Sequence, residues 1–387
     1  MKVHFLAQRQ GRARHTTFPL EVFAPQLGEQ GLQVAVFHDA AAPELPDCDL
    51  LVLVEADFRD FFPAAASGRE AEVRFLEQLR ATGCRTAWFD DSDSAGCLRT
   101  YLLPRTGRYV KSQVMRDRAA YTRPSRTGSV FLDYYCDFFG VATPARRSKG
   151  EVTAAEAEQI ALGWSFSFSD WMLHWSRHRL ALWYRTLKSR VAYPEFPPVK
   201  ALAQRAVAVN CRLGLHPGRP PVHELRRHCL ERVETLAQRR QWVAATAGLL
   251  RRAEYLPELR ESVVVASPFG HGELCFRDFE CFAAGAVLLK QNMDHVETWP
   301  NYYEPHVTYV PFAWDFSDFE EKLTDIVAHP ARYEAIAAAG RERFLHSLSP
   351  AGGAGFARHL KRLVEQALTA PVAVPAQRQE PCQSLEE

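Results

Sequence analysis

One segment of this 387-residue chain combines a flexible turn with charged groups at regular spacing. Ser267-Pro268-Phe269-Gly270-His271-Gly272-Glu273 follows the apolar run Ser262–Ala266 and leads into an amphipathic stretch ending near Ala284. A strand that turns through glycine into a helix presents backbone N–H groups at the positive end of the helix dipole, and glycine lets a phosphate come close. In α/β folds, ligands gather at that edge of the sheet. At about 100° per residue, Glu273, Arg277 and Glu280 share an arc of roughly 80°, with Cys275, Phe279 and Phe282 opposite. Such a face is either a solvated row of ion pairs or a ligand surface. In the second case the carboxylates hold sugar or ribose hydroxyls and Arg277 faces a diphosphate, and the position directly behind a glycine turn favours that case.

Other chemistry-bearing groups lie at the ends of apolar runs. Asp90-Asp91-Ser92-Asp93 follows Thr86–Phe89, so its carboxylates project at a sheet edge. They fit three roles: a DxD metal site for Mn or Mg, a base for an acceptor hydroxyl supplied by Asp90 or Asp93, or a turn cap. His15, in a basic stretch with Arg12 and Arg14 after the first apolar run, is a second candidate base or a surface histidine. Arg212, just past Ala206–Val209, is the better candidate to meet a diphosphate, with Arg219 behind it. Asn292–Trp299 holds Asp294, His295 and Glu297, and His295 is a candidate contact to a sugar or base, a polar surface loop being the alternative.

The elements that must position these groups alternate in type. Strands are expected at Val3–Ala7, Leu32–Phe37, Leu50–Val54 and Thr86–Phe89, with helices near Pro19–Glu29 and Arg69–Ala81. After residue 200 the alternation resumes. Strands at Ala206–Val209, Ser262–Ala266, Val287–Leu289 and Thr308–Phe312 join helices at Val222–Gln238, Leu274–Ala284, Ser317–His329 and Ala331–Leu345, Ser317 and Glu320 having capping-box spacing. Buried apolar runs separated by amphipathic helices indicate an α/β protein with two Rossmann-like, doubly wound parallel sheets. The boundaries read as 1–140, a helical aromatic connection at 141–200, a second domain at 201–366 and a disordered tail at 367–387. The connection carries Trp164, Trp171, Trp175 and Trp183 with Arg177, Arg179 and Arg185. It suits packing between domains or peripheral contact with lipid.

Composition narrows the partners. With 47 basic and 46 acidic residues the net charge is +1, which disfavours a nucleic-acid partner. Nine scattered cysteines without a zinc or disulfide spacing suggest reduced thiols in the cytoplasm. The opening apolar run is too short for a signal peptide and reads as a strand, and no stretch is long enough to span a membrane. The expected location is the cytosol or the inner membrane face.

The stretch Ser267–Lys290 resembles the donor-site signature of bacterial GT-B glycosyltransferases of the family 1 and family 4 group, including CgeB/exostosin-like members. Glu280-Cys281-Phe282-Ala283-Ala284-Gly285 matches their E-A-x-A-x-G pattern with Cys281 in place of Ala. The similarity continues through Trp299-Pro300, Tyr309-Val310-Pro311 and Ala335–Ser349. It implies a GT-B fold with a central cleft and a nucleoside-diphosphate sugar held by the second domain. Glu280 would then bind the ribose, Glu273 the sugar, and the Gly270/Gly272 loop with Arg277 and Arg212 the diphosphate. It also implies a hydroxyl acceptor (glycan, glycolipid or other cell-surface precursor) at the first domain, no metal or other cofactor, and domain closure over the reactants. Glu273 and Glu280 stand as E-x6-E, one residue short of the E-x7-E of retaining members, so stereochemistry does not carry over. A nucleotide-sugar epimerase of the same fold and a non-catalytic nucleotide-sugar-binding protein are the alternatives.

Overall fold

The computed structural model describes residues 1–56, 58–62, 69–142, 152–169, 196–246 and 248–370. Six parallel strands form the first sheet, in the order β2 (Gln33–Phe37), β1 (Lys2–Leu6), β3 (Leu50–Val54), β4 (Thr86–Asp90), β5 (Arg108–Lys111) and β7 (Ile160–Leu162). Five parallel strands form the second: β13 (Val310–Phe312), β11 (Val287–Gln291), β10 (Ser262–Ala266), β8 (Val207–Asn210) and β9 (Ala244–Ala245). Strands β3, β10 and β11 are buried at every position, as required where helices cover both faces of a parallel sheet. The two sheets turn the C-terminal ends of their strands toward a common cleft. This is the GT-B arrangement.

The halves are physically joined. Strand β6 (Gln113–Met115) leaves the first half and pairs antiparallel with β12 (Val296–Thr298) of the second, Met115 opposite Val296. Arg116 donates to the carbonyls of Asp294 and Val296 at 2.8 and 3.3 Å, and Arg118 pairs with Glu297 at 3.0 Å. Tyr135 donates to the Trp314 carbonyl at 2.8 Å and accepts from Gln291 at 3.1 Å.

A final helix, Pro350–Thr369, crosses back to the first half. Phe356 is fully buried there, its ring 5.1 Å from Trp164, 5.5 Å from Phe23 and 5.6 Å from Phe168. His359 stacks on Trp299 at 4.2 Å and bonds the Leu162 and Gly163 carbonyls at 3.0 Å. A second domain drawn to residue 366 therefore misplaces this helix, whose apolar face completes the first core. Trp164 lies in that core with its indole N–H on the Thr16 carbonyl at 3.0 Å. Trp171, Trp175, Trp183, Arg177, Arg179, Arg185 and the tail from 371 onward lie outside the described residues.

Several expected elements shift. The helix expected from Pro19 is two helices, Ala13–Val22 with Pro19 inside it and Ala24–Glu29. Asp318, not Ser317, precedes the helix Phe319–Ala328, and its carboxylate accepts the Ala313 N–H at 2.8 Å and pairs with Lys322 at 2.6 Å. The helix after the glycine turn begins at Phe276, which leaves Glu273 outside it. No disulfide joins the described cysteines, and no helix among the described residues is long and apolar enough to cross a membrane.

Phe356→Ala should lower unfolding free energy by about 3–5 kcal/mol, the usual cost of emptying a buried phenylalanine site. Urea denaturation measures it. A loss near zero would show that the last helix does not complete the first core.

Candidate functional site

The cleft has two chambers. The larger, about 610 Å³, lies on the second half between the ends of β8, β9 and β10 and the helix Phe276–Ala284. Among the described residues, six arginines line it (Arg12, Arg212, Arg219, Arg226, Arg252 and Arg277) against three carboxylates, Asp91, Asp93 and Glu280. For a chain of net charge +1 this is a strong local concentration of positive charge, and low-dielectric walls focus such a field. Trp164, Phe166, Tyr255 and Phe276 add ring surface. The smaller chamber, about 480 Å³, lies toward the first half. Arg12, Asp91, Asp93, Arg219 and His271 line both chambers and form the border between them.

The helix Phe276–Ala284 is fixed by a buried carboxylate. Asp278 accepts from Cys275 N–H at 3.1 Å, Ser267 Oγ at 2.6 Å and Tyr303 Oη at 2.7 Å, and pairs with Lys290 at 3.1 Å, both charges being fully buried. This network clamps the turn between β10, β11 and the helix. Arg277 then reaches into the larger chamber. One of its nitrogens donates to the Arg212 carbonyl at 2.8 Å, while Nη1 is buried with no hydrogen-bond partner among the described residues. Nε of Arg226 is in the same condition, and its Nη1 donates to the Gly214 carbonyl at 2.6 Å. Buried donors left unsatisfied are costly, so both positions call for acceptor atoms such as phosphate oxygens. Glu280 lines the chamber and accepts from Tyr255 Oη at 3.1 Å. Arg212 lines it while gripped by Glu258 at 2.6 and 2.7 Å.

The remaining sequence candidates divide. Glu273 does not face the cleft. It is fully buried and accepts from Ser94 Oγ and Ala95 N–H of the first half, both at 3.0 Å. Burial raises its pKa, and the bonds from Ala95 and Ser94 oppose the shift. His295 is likewise displaced from the cleft. It sits behind Glu273, 3.9 Å away, packed on Trp314 and Phe269, and burial drops its pKa to about 4. Gly272 lines the larger chamber, but its lack of a side chain serves the domain contact, since a Cβ there would coincide with the Asp93 carbonyl. Gly270 makes room for the Arg226 guanidinium, which a Cβ would meet at 2.6 Å.

Asp90 is excluded as a base by its contacts. It is buried, accepts from Tyr109 Oη at 2.5 Å and pairs with Lys111 at 3.1 Å. Burial alone would raise its pKa, but Lys111 and the Ser92 and Tyr109 bonds outweigh it and hold the pKa below the ordinary value. Asp93 reaches both chambers and lies 3.6 Å from Arg12. His15 lines the larger chamber from the helix Ala13–Val22, its ring edge-on to Phe276 at 5.3 Å. Among the described residues, no group of three or more His, Cys, Asp or Glu side chains is placed to hold a metal.

Asp91 follows Asp90 in the same acidic run. Asp91 stands on the border, accepts from Thr16 Oγ1 at 3.3 Å through Oδ2, and buries Oδ1 without a partner among the described residues. Burial, with Arg12 opposing and Asp90 adding to it, lifts its pKa to about 6. Strand alternation carries the signal that separates these neighbours. Asp90, the last residue of β4, turns into the sheet, and Asp91 turns out. Arg226 and Tyr255, on helices far apart in sequence, carry no local signal.

Residues 225–352 match a family model described as glycosyl transferase-like. No curated protein matches the chain by sequence. Among solved structures it is similar to HepE of Anabaena in complex with UDP, at 10% identity and a TM-score of 0.45 over 94% of this chain and 100% of that one. It is similar to an alpha-glucosyltransferase in complex with UDP-glucose and DNA containing an abasic site, at 11% identity and 0.47 over 94% and 99%. It is similar too to UDP-GlcNAc 2-epimerase from Neisseria meningitidis bound to UDP-GlcNAc, at 8% identity and 0.42 over 95% and 100%. Likenesses this distant assign no activity.

Gly272→Ala should cost about 1–3 kcal/mol of stability, as overpacking does, because a backbone carbonyl blocks the new methyl. Gly270→Ala should cost less, since the flexible end of Arg226 can yield. Equal urea midpoints for the two variants would contradict this account of the domain contact.

Proposed function

We propose that the protein is a glycosyltransferase that moves a sugar from a nucleoside diphosphate to an acceptor hydroxyl without a metal ion. One observation carries the reading: a chamber rich in arginine, with buried unsatisfied N–H groups, meets a carboxylate with an unsatisfied oxygen across a shared border. The first asks for diphosphate oxygens and the second for a hydroxyl. Arg277 and Arg226 hold the diphosphate, with Arg212 and Arg219 adding positive charge at the chamber wall. Glu280 meets the ribose hydroxyls, and the aromatic side chains flank the base. The matched family description supports the glycosyltransferase reading.

In the reaction the acceptor oxygen bonds to the anomeric carbon as that carbon's bond to the diphosphate oxygen breaks. The electron pair leaves with the diphosphate, where the arginines stabilise it, and the hydroxyl proton passes to Asp91. Asp91 thus takes the role first sought among Asp90, Asp93 and His15, and a base opposite the leaving group gives inversion. Continuity of the cavity beyond Asp91 favours transfer over epimerisation, which needs no second chamber. The acceptor belongs to a glycan, glycolipid or related molecule, and the enzyme acts in the cytosol or at a membrane surface.

A panel of nucleoside diphosphates, UDP first, should contain one that raises the melting temperature, by up to about 2.7 kcal/mol of stabilisation at a hundredfold excess over Kd. Arg277→Met should weaken that ligand roughly 10- to 100-fold, the loss of one or two charge-assisted hydrogen bonds. If no member of the panel shifts the transition, the assignment of the arginine chamber fails.

The pH profile tests the base. Asp91 must be ionised to accept a proton and its pKa is about 6. The value of kcat/KM should therefore fall about tenfold per unit below pH 6 and level off above it. Asp91→Asn should lower kcat about 10²- to 10⁴-fold while the nucleotide still binds. An acidic limb that survives in the Asn variant would assign it to another group.

A further inference from the structure

The smaller chamber falls to the acceptor in this reading, and its walls specify the acceptor's chemistry. We propose that it takes an uncharged saccharide as acceptor, a proposal that rests on reading the larger chamber as the donor site.

Charge is the first argument. Among the described residues, three arginines, Arg12, Arg99 and Arg219, face three carboxylates, Glu55, Asp91 and Asp93. Arg99 is committed to Glu55 at 2.8 Å and Glu72 at 3.2 Å. Arg12 is committed to the Asp91 carbonyl at 3.2 Å and Asp93 at 3.6 Å. Arg219 stands on the border, where the larger chamber also claims it. Once a diphosphate is bound, the described residues leave no surplus positive charge for an anionic acceptor. Glu55 and Asp91 are already pushed up by burial, to about 8 and about 6. Near neutral pH Glu55 is therefore largely protonated, and the like charge that a phosphate or uronate would meet comes from Asp91 and Asp93.

The walls supply the second argument. Among the described residues, no phenyl, phenol or indole ring lines this chamber, unlike its neighbour. A nucleobase or aromatic alcohol would find nothing to stack on. Instead Pro220, Pro221 and Val222 offer an apolar wall from the second half, while Asp91, Ser92 and Asp93 offer polar groups from the first. A sugar ring has the same two sides, C–H groups on its faces and hydroxyls at its edge. The volume, about 480 Å³, is that of a small-molecule site. Oδ1 of Asp91 supplies the missing acceptor for one of the hydroxyls.

The test uses the full chain and needs no donor. Methyl glycosides of glucose, galactose, mannose and N-acetylglucosamine are compared with methyl glucuronide by saturation-transfer NMR. At least one neutral glycoside should bind, and methyl glucuronide should bind at least tenfold more weakly than it. Leu132→Trp and Cys97→Phe, two separate ways of filling the chamber, should abolish the neutral signal in any variant that still melts cooperatively. A glucuronide that binds as well, no binding by any neutral glycoside, or binding that survives the filled chamber would each overturn the proposal. Maltotetraose binding more tightly than methyl glucoside would place a glycan end in the chamber, and the reverse a free sugar, both in support. UDP titration is a separate arm. If UDP and the other nucleotides fail to bind while the glycosides behave as expected, the donor reading fails and the saccharide site stands.

Discussion

A carboxylate with no cation in direct contact holds the two halves in register. Glu273 leaves the second half, enters the first, and spends both oxygens on the Ser94 hydroxyl and the Ala95 amide. Burying it is tolerable only because those donors replace the water it has lost. The backbone beside it closes the joint, since Gly272 lies against the Asp93 carbonyl where no side chain fits. The loop that carries Asp91 and the turn that introduces Arg277 are therefore parts of one contact. The distance between the acidic border and the basic floor is set by this joint and by the β6–β12 pairing, not by a free hinge.

The carboxylates separate by burial and partner. Glu273, Asp278 and Asp90 lie inside, each saturated by hydrogen bonds or a lysine, and each fixes a piece of backbone. Asp91, Asp93 and Glu280 reach the cleft. Lys290 and Lys111, buried under the two sheet edges, do for the scaffold what the arginines do for the cavity. Lysine suits a single buried carboxylate, whereas the planar fork of arginine suits phosphate oxygens. The allocation of the two residue types follows that difference.

Much of the scaffold was legible because burial on both faces leaves an uninterrupted apolar run. Leu50–Val54 and Ser262–Ala266 have the bounds expected of them, as does the helix Arg69–Ala81. Strands β5 and β7 were not legible. Arg108-Tyr109-Val110-Lys111 carries charge at both ends, and Ile160–Leu162 is only three residues long. The site was legible in region more than in residue. The segment around Arg277 and Glu280 does face the cleft, but Glu273 lies off that face because the helix begins three residues after it, where helical spacing does not apply. Telling Asp91 from Asp90 and Asp93 as the residue at the border requires knowing where β4 stops. The last helix was hidden by its own composition. Pro350-Ala351-Gly352-Gly353-Ala354-Gly355 reads as a breaker, yet Gly353 is the point at which Phe23 packs against the helix.

That returning helix has a consequence for biosynthesis. Phe23, Trp164 and Phe168 belong to the first half of the chain, but the surface they form is covered by Phe356. A ribosome finishes the first sheet long before it supplies the cover. During that interval the nascent chain carries an apolar patch in the midst of an otherwise assembled domain, the kind of surface that attracts chaperones and promotes misassociation. Completion of the amino-terminal core therefore waits on the carboxy-terminal helix.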